Sequence, residues 1–295
     1  MISNSTALEN SISGHSASDL SPIRLIVCDL DGTIVGESNQ INPGVKQAIQ
    51  AAQAKGVQVA IATGRMYQAA LRFYQDIGST LPLMSYQGAL MKHPQTGEVL
   101  QHLTLPSEAA RKLLDYFEQP ELRDLLSVHF YIDDRLYVRE ILPETKLYAE
   151  RSQVEPISVG DLRLVLDREP TKVLALSNEP AVIDRLLTSL RQEYTPAELY
   201  FTKSVATFFE ATHPQVNKGA AVRHLAEDVL GLRPENVMTI GDNFNDLEMI
   251  QYAGIGVAMG NAPDGVKAVA KWVAPDVEAD GAVAAIEQFV LANRA

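Results

Sequence analysis

The run Ile23–Cys28 is apolar at every position except Arg24 and stops abruptly at Asp29-Leu30-Asp31-Gly32-Thr33. A strand that is apolar on both faces must be covered on both sides, as in a parallel sheet flanked by helices. The residues that follow keep to that architecture. Asn42 and Pro43 supply a helix start, Val45, Ala48, Ile49 and Ala52 recur at helical spacing, and Gly56 ends the segment. Val57–Ala62 reads as a second buried strand running into Thr63-Gly64-Arg65. The stretch Ile23–Thr63 is therefore strand, helix, strand, with an irregular segment around Val35–Gln40 inserted after the first strand. In open sheets of this kind ligands bind beyond the carboxyl ends of the strands, and both polar clusters fall there.

A third strand is read at Pro82–Tyr86, ending in Gln87-Gly88-Ala89, and beyond it the texture changes. Val99–Leu103, Val128–Val138, Lys172–Ser177 and Leu199–Phe208 alternate rather than run solid, with helical stretches at Ser107–Glu118, Pro143–Ser152 and Pro180–Glu193. That pattern predicts a sheet with one face covered by helices and the other freer. After about residue 210 the first texture returns. Asn217 caps a helix carrying Ala221, Leu225, Val229 and Leu230, and Val237–Ile240 is a buried strand ending in Gly241-Asp242-Asn243-Phe244-Asn245-Asp246. Gly256–Met259 is a further short strand, and Ala282–Leu291 a closing helix. The expected fold class is α/β: a Rossmann-like parallel core with helices on both faces, discontinuous over 22–88 and 206–295, with an α+β cap inserted at 89–205. A length of 295 residues fits one core interrupted by an insertion.

Asp and Glu number 37 against 25 Lys and Arg, a formal charge of −12, which argues against a nucleic acid or an anionic membrane as partner. An acidic chain that handles an anion needs a local inversion of sign. The single cysteine, Cys28, permits neither an internal disulfide nor a Cys-rich zinc site and reads as a reduced, cytoplasmic setting. No apolar stretch approaches the ~20 residues of a membrane-spanning helix. Residues 1–21, rich in Ser and Asn, match neither a secretory signal nor an Arg-rich transit peptide and read as a disordered extension. Oligomeric state is not legible at this level.

Asp29 and Asp31 are the sharpest chemical feature. Side chains at i and i+2 of an extended segment point the same way, so the two carboxylates face one small volume at the mouth of the sheet. Asp242 and Asp246 follow a later strand and meet the first pair if the strands are parallel. Like charges about 4 Å apart repel by roughly 4 kcal/mol at an effective dielectric near 20, so converging carboxylates require protonation or a cation. With oxygen ligands and no His cluster, Mg²⁺ is the expected one. Thr63 offers a hydroxyl and a nearby backbone N–H at a strand end, and Lys218, at a helix start, offers a cation.

These four segments, in order, resemble those of the haloacid dehalogenase superfamily: Asp29-Leu30-Asp31-Gly32-Thr33, Ala62-Thr63-Gly64-Arg65, Lys218, and Gly241-Asp242-Asn243-Phe244-Asn245-Asp246. Asn217-Lys218-Gly219 and the large insertion before it are similar to the Cof-type phosphatases, whose cap domain sits between the second and third motifs. The resemblance covers nearly all of residues 23–293. It implies that Asp29 is the nucleophile, forming an aspartyl-phosphate, and that Asp31 protonates the leaving oxygen and then activates water. It implies Mg²⁺ held by the Asp29 side chain, the Asp31 main-chain carbonyl and the Asp242 side chain. Thr63, Gly64, Lys218 and Asn245 form the implied phosphate-binding set, with Gly64 and Arg65 also shaping the strand-to-helix turn, and Asp246 supports Lys218 or the metal from behind. The implied substrate is a small soluble phosphate ester, such as a sugar phosphate, pyridoxal phosphate or a flavin-pathway phosphate. Gln87 stands where relatives commonly have Asn, which bears on specificity.

Two alternatives stay open on the same residues: a phosphotransferase or mutase using the same intermediate, and a non-catalytic phosphometabolite-binding protein. Others fall away. A cysteine phosphatase needs an Arg one short loop after Cys28, where Ile34 stands, and no P-loop sequence occurs. Gly254-Ile255-Gly256 precedes a strand, the wrong context for a dinucleotide site. Six histidines show no metal-ligand spacing. Tyr131, Asp133 and Asp134 read as a polar strand end or turn.

Overall fold

The computed structural model describes residues 23–292; the extension at 1–21 lies outside the described residues. In chain order β1 (Leu25–Cys28), α1 (Pro43–Ala54), β2 (Gln58–Ile61) and α2 (Tyr67–Asp76) open the fold, followed by β3 (Leu83–Ser85), β4 (Leu90–Lys92) and β5 (Val99–His102). Then come α3 (Ser107–Phe117), β6 (Ser127–Ile132), β7 (Arg135–Val138), α4 (Pro143–Ser152), β8 (Pro156–Ser158), β9 (Lys172–Leu176), α5 (Pro180–Glu193), β10 (Tyr200–Thr202) and β11 (Phe208–Thr212). The chain ends through α6 (Lys218–Arg223), β12 (Val237–Gly241), α7 (Leu247–Tyr252), β13 (Ile255–Ala258), α8 (Asp264–Lys267), β14 (Trp272–Val273) and α9 (Gly281–Ile286).

The parallel sheet has the order β14-β13-β12-β1-β2. Its central strand is β1, in register with both neighbours, Leu25 opposite Val237 and Gln58. All four β1 residues are fully buried, as their unbroken apolarity requires. At about 1.5–3 kcal/mol for each large apolar side chain removed from water, this strand is a main source of cohesion. Helix α1 buries Val45, Ala48, Ile49 and Ala52, the four positions its spacing predicts. Its start differs from expectation: Asn42 makes no side-chain cap and instead donates to Asp280 Oδ1 at 3.3 Å, with Pro43 opening the helix. Strand β3 touches the parallel sheet through one parallel bridge, Ala62 to Met84, and otherwise pairs antiparallel with β4, which pairs with β5.

The second large sheet, β10-β11-β9-β6-β7-β8, is antiparallel except for the β7–β8 pair. Alternation sorts its side chains. Phe130, Ile132, Val173, Ala175, Phe209 and Ala211 pack with Leu113 and Phe117 of α3 and Ile183, Leu186 and Leu190 of α5 in one cluster. The residues between them take the other face, which was expected to be freer. It is covered instead: Tyr131 and Leu174 join the main core, with Tyr148 of α4 and Phe208 packed against them. The expected segments Val128–Val138 and Leu199–Phe208 each contain a break. The first is the β6–β7 hairpin, turning at Asp133 and Asp134 with φ of 50° and 56°. The second divides into β10 and the start of β11 around Lys203–Thr207.

Candidate active site

Chain order reverses direction at β1: β2 lies on one side and β12 on the other. Such a switch point opens a crevice at the carboxyl ends of the strands. Asp29 and Asp31 follow β1, Thr63, Gly64 and Arg65 follow β2, Asp242 and Asn245 follow β12, and all seven line one cavity of about 390 Å³. Gly32 makes the approach of the two loops possible. Its φ is +81°, and a Cβ there would lie 2.3 Å from Asp242 Oδ2, so both the turn and the contact exclude a side chain.

Lys218 is fully buried, and its Nζ lies 2.5 Å from both Asp29 Oδ1 and Asp246 Oδ1. Asn217 Oδ1 caps the first turn of α6 by accepting from the Ala220 N–H at 2.6 Å, which fixes where α6 starts and so where Lys218 points. The other Asp246 oxygen accepts from the backbone N–H groups of Asp242 and Asn243, at 2.9 and 3.1 Å. Burial works against the ammonium, but the carboxylates of Asp246 and Asp29 outweigh it and hold Lys218 above the ordinary lysine value. Lys218 is therefore a positive charge buried between two carboxylates.

Carboxylate oxygens of Asp29, Asp242 and Asp246 all lie within 4.8 Å of one another. Burial pushes the Asp29 carboxyl up to about 7, against the pull of Lys218 and with a further push from Asp246. Burial, followed by the Asp29 and Asp246 charges, pushes Asp242 up to about 8. Among the described residues, Asp242 has the Asn261 amide, at 3.2 Å from Oδ2, as its one side-chain donor. Hard oxygen donors under mutual repulsion fit a divalent cation, which would relieve what burial and like charge impose.

Asp31 stands apart from that trio. Its two oxygens accept from Arg65, Oδ2 from Nε at 2.7 Å and Oδ1 from Nη2 at 2.6 Å. Burial opposes ionisation, yet the Arg65 fork outweighs it and holds the Asp31 carboxyl below its ordinary value. The arrangement is thus three clustered carboxylates with a fourth on an arginine, where the sequence led us to expect four around one cation. Thr63 Oγ1 accepts from the Arg65 N–H at 3.1 Å, and the Gly64 carbonyl accepts from Lys172 Nζ at 3.1 Å. Asn245 Nδ2 donates to Gln87 Oε1 at 3.0 Å. Cys28 is an inert core residue, its thiol pushed up to about 12 by burial and Asp29.

Residues 26–286 match the family model of haloacid dehalogenase-like hydrolases. The chain belongs to this family. Over 283 residues the hydrolase is 32% identical to Bacillus subtilis YxeH, covering 92% of this chain and 99% of that one. It is 29% identical to the B. subtilis 5-amino-6-(5-phospho-D-ribitylamino)uracil phosphatase YitU, covering 90% and 97%. Among solved structures, TM0651 from Thermotoga maritima superposes with a TM-score of 0.76 at 29% identity, covering 90% of this chain and 97% of that one. The protein is a phosphatase of the haloacid dehalogenase-like family. No helix among the described residues is long and apolar enough to cross a membrane.

The far wall of the hydrolase's cavity comes from the second sheet and α4: Tyr148, Arg151, Ser152, Lys172, Ser204, Val205, Phe208 and Glu210. Lys172 and Glu210 form a buried ion pair at 3.1 Å. Sequence reasoning missed these, since each is a single polar or aromatic residue on an alternating strand or helix. It also assigned Arg65 to turn geometry alone, although an arginine four residues past the end of β2 can reach the acid in the loop after the neighbouring β1. Asp134 lies away from the cavity: it accepts from the N–H groups of Tyr67 and Gln68, both at 3.0 Å, and from Tyr86 Oη at 2.7 Å, tying the β6–β7 turn to the start of α2.

Proposed function

We propose that this phosphatase is Mg²⁺-dependent and hydrolyses a small phosphorylated metabolite through an aspartyl-phosphate on Asp29, with the 89–205 insertion acting as a cap over the site. The observation that carries the reading is Asp29 in contact with a buried lysine on one side and facing the sparsely partnered Asp242 on the other. Mg²⁺, held by the side chains of Asp29 and Asp242 and the Asp31 main-chain carbonyl, would supply the positive charge that lets a phosphoryl group approach these carboxylates.

The chain's own residues do the rest. Lys218, the Thr63 hydroxyl, Gly64 and Asn245 bind the phosphoryl oxygens. An Asp29 carboxylate oxygen attacks phosphorus, the ester P–O bond breaks, and the leaving oxygen takes its proton from Asp31, whose carboxyl must take that proton from the entering phosphate ester because Arg65 keeps it ionised in the free site. Asp31, now ionised, accepts a proton from water as the water oxygen attacks the phosphoryl group. The bond from phosphorus to Asp29 breaks, inorganic phosphate leaves, and Asp31 is protonated again. Asp246 keeps Lys218 in place. The cavity is of metabolite size, and its wall combines Tyr148, Val205 and Phe208 with Ser152 and Ser204, which supports a leaving group with both apolar and hydroxyl-bearing parts. YitU, with its ribitylaminouracil phosphate, is a relative of that kind.

Phosphate release from a metabolite panel, with and without EDTA, tests this reading. Asp29→Asn should abolish turnover with the fold intact by circular dichroism. Sustained Mg²⁺-dependent release by that variant would overturn the assignment.

A further inference from the structure

Asp31 is one member of a closed ring of polar contacts drawn from three segments, the β1–α1 connection, the loop after β2 and α4. Arg65, which grips both its oxygens, uses the same Nη2 to donate to Asn39 Oδ1 at 2.8 Å. Asn39 lies in the irregular segment between β1 and α1, in the left-handed region at φ 55°. Its amide Nδ2 donates in turn to the main-chain carbonyl of Arg151 at 2.9 Å, in the last turn of α4. Arg151 Nη2 returns to Asp31 Oδ1 at 3.7 Å and closes the ring.

Three features make this more than a surface network. The Arg65 side chain is 9% exposed, and its guanidinium carbon lies 4.7 Å from the centroid of Phe73, so it has little freedom to turn. A two-point arginine–carboxylate contact fixes the plane of the carboxyl as well as its distance. The carbonyl that Asn39 satisfies is among the last of a helix, which has no partner within the helix and must find one outside. Asn39 thus reads the position of α4 and passes it to Arg65 through a shared amide.

We infer that Arg65 and Asn39 are positioning residues for Asp31, aligning its carboxyl with the leaving-group oxygen when α4 is seated against the 35–41 segment. The inference rests on the reading of Asp31 as proton donor. Asn39 lies outside the cavity lining and Arg65 spends its fork on Asp31, so both act through Asp31. The function of the ring is therefore selective. In the first half-reaction, which kcat/KM reports, it matters for esters whose leaving oxygen needs a proton and hardly at all for those whose leaving group departs as a stable anion, while the later activation of water by Asp31 is common to both.

The test is the dependence of kcat/KM on the leaving group, measured on the full-length protein with Mg²⁺ and two probes: an alkyl phosphate and p-nitrophenyl phosphate. Asn39→Ala should lower kcat/KM on the alkyl ester about tenfold and change that on the aryl ester by less than about twofold, since general-acid catalysis contributes roughly 10²–10⁴-fold where it is needed. Arg65→Lys, which keeps the charge and loses the fork, should show the same selectivity. Asp31→Asn should show it more strongly. Equal losses on both esters in Asn39→Ala and Arg65→Lys would reduce the ring to a structural role and overturn the inference, as would no loss on either. If Asp31→Asn slows both esters alike, the proton-donor reading of Asp31 fails, and the positioning role falls with it. Full activity of Asp29→Asn is the separate result that would sink the phosphatase mechanism itself.

Discussion

Gln87 Oε1 accepts a hydrogen bond from Asn245 Nδ2 at 3.0 Å, joining the turn after β3 to the loop after β12 across the floor of the cavity. Gln87 holds φ 61°, in the left-handed region, and its Nε2 lies 2.5 Å from where a Cβ on Gly64 would be. The longer amide thus fits because Gly64 has no side chain.

Gln87→Leu should remove the partner of Asn245 and leave its amide without an acceptor. We expect a loss of about 1–3 kcal/mol of stability, the usual cost of an unsatisfied buried polar group. Urea denaturation measures it. A rise in KM with little change in kcat is expected alongside, because Asn245 is released from its orientation toward the phosphate.

Lys218→Met leaves Asp29 and Asp246 as buried carboxylates with no cation between them. A destabilisation of about 3–5 kcal/mol is expected, together with loss of turnover. The penalty should shrink as pH falls, because the carboxyl of Asp29, already pushed up to about 7 with Lys218 present, then takes up a proton more readily. Denaturation midpoints of wild type and variant at pH 8 and pH 5.5 should converge at the lower value.

His129 supplies a second pH signature, away from the site. It is fully buried, its Nε2 shared with Ser127 and Thr145 hydroxyls at 3.1 and 3.2 Å, and its Nδ1 has no partner among the described residues. Burial, with Lys172 nearby, pushes the imidazole down from 6.5 to about 3. The unfolded chain takes up a proton below about pH 6.5 that the native state refuses. Stability from this group is therefore complete above that pH and declines as pH falls toward about 3, with a limiting slope of about 1.4 kcal/mol per pH unit. His129→Gln should flatten the stability profile between pH 6 and 4 by roughly that slope, read from urea midpoints.

EDTA should abolish phosphate release, and Mg²⁺ should restore it. Because a ligand that binds only the native state stabilises it, excess Mg²⁺ should raise Tm in the wild type. Asp242→Asn, which removes a carboxylate from the trio, should need at least about tenfold more Mg²⁺ for half-maximal activity and lose most of that Tm shift. An unchanged Mg²⁺ response in this variant would remove Asp242 from the metal site.

Much of the parallel sheet was legible in the sequence because buried strands announce themselves: Ile23–Cys28 and Val237–Ile240 end in Asp-rich turns, and Asn217 marks the start of α6. The clustering of Asp29, Asp242 and Asp246 follows from strand direction alone. Other features depend on distances that no spacing encodes. The turn of Asp31 toward Arg65 is decided by a guanidinium that could equally have faced solvent. Asn39 lay in a segment with no periodicity, and the freer face expected of the second sheet is covered by α4 and the core, a tertiary contact between stretches that look independent in sequence. The break around Lys203–Thr207 was hidden by apolar residues on both sides.

The placement of β1 beside β12 also bears on how the protein comes into being. Asp29 leaves the ribosome long before Lys218 and Asp242, and the central strand stays uncovered along one edge until β12 is made. A nascent chain that already contains the whole second sheet still lacks both Lys218 and Asp242. Native pairing of this kind spans most of the polypeptide, so the chain must close a long loop before its middle strand is complete. The candidate site therefore cannot assemble before α6, β12 and the loop after it have been made and β12 has paired with β1.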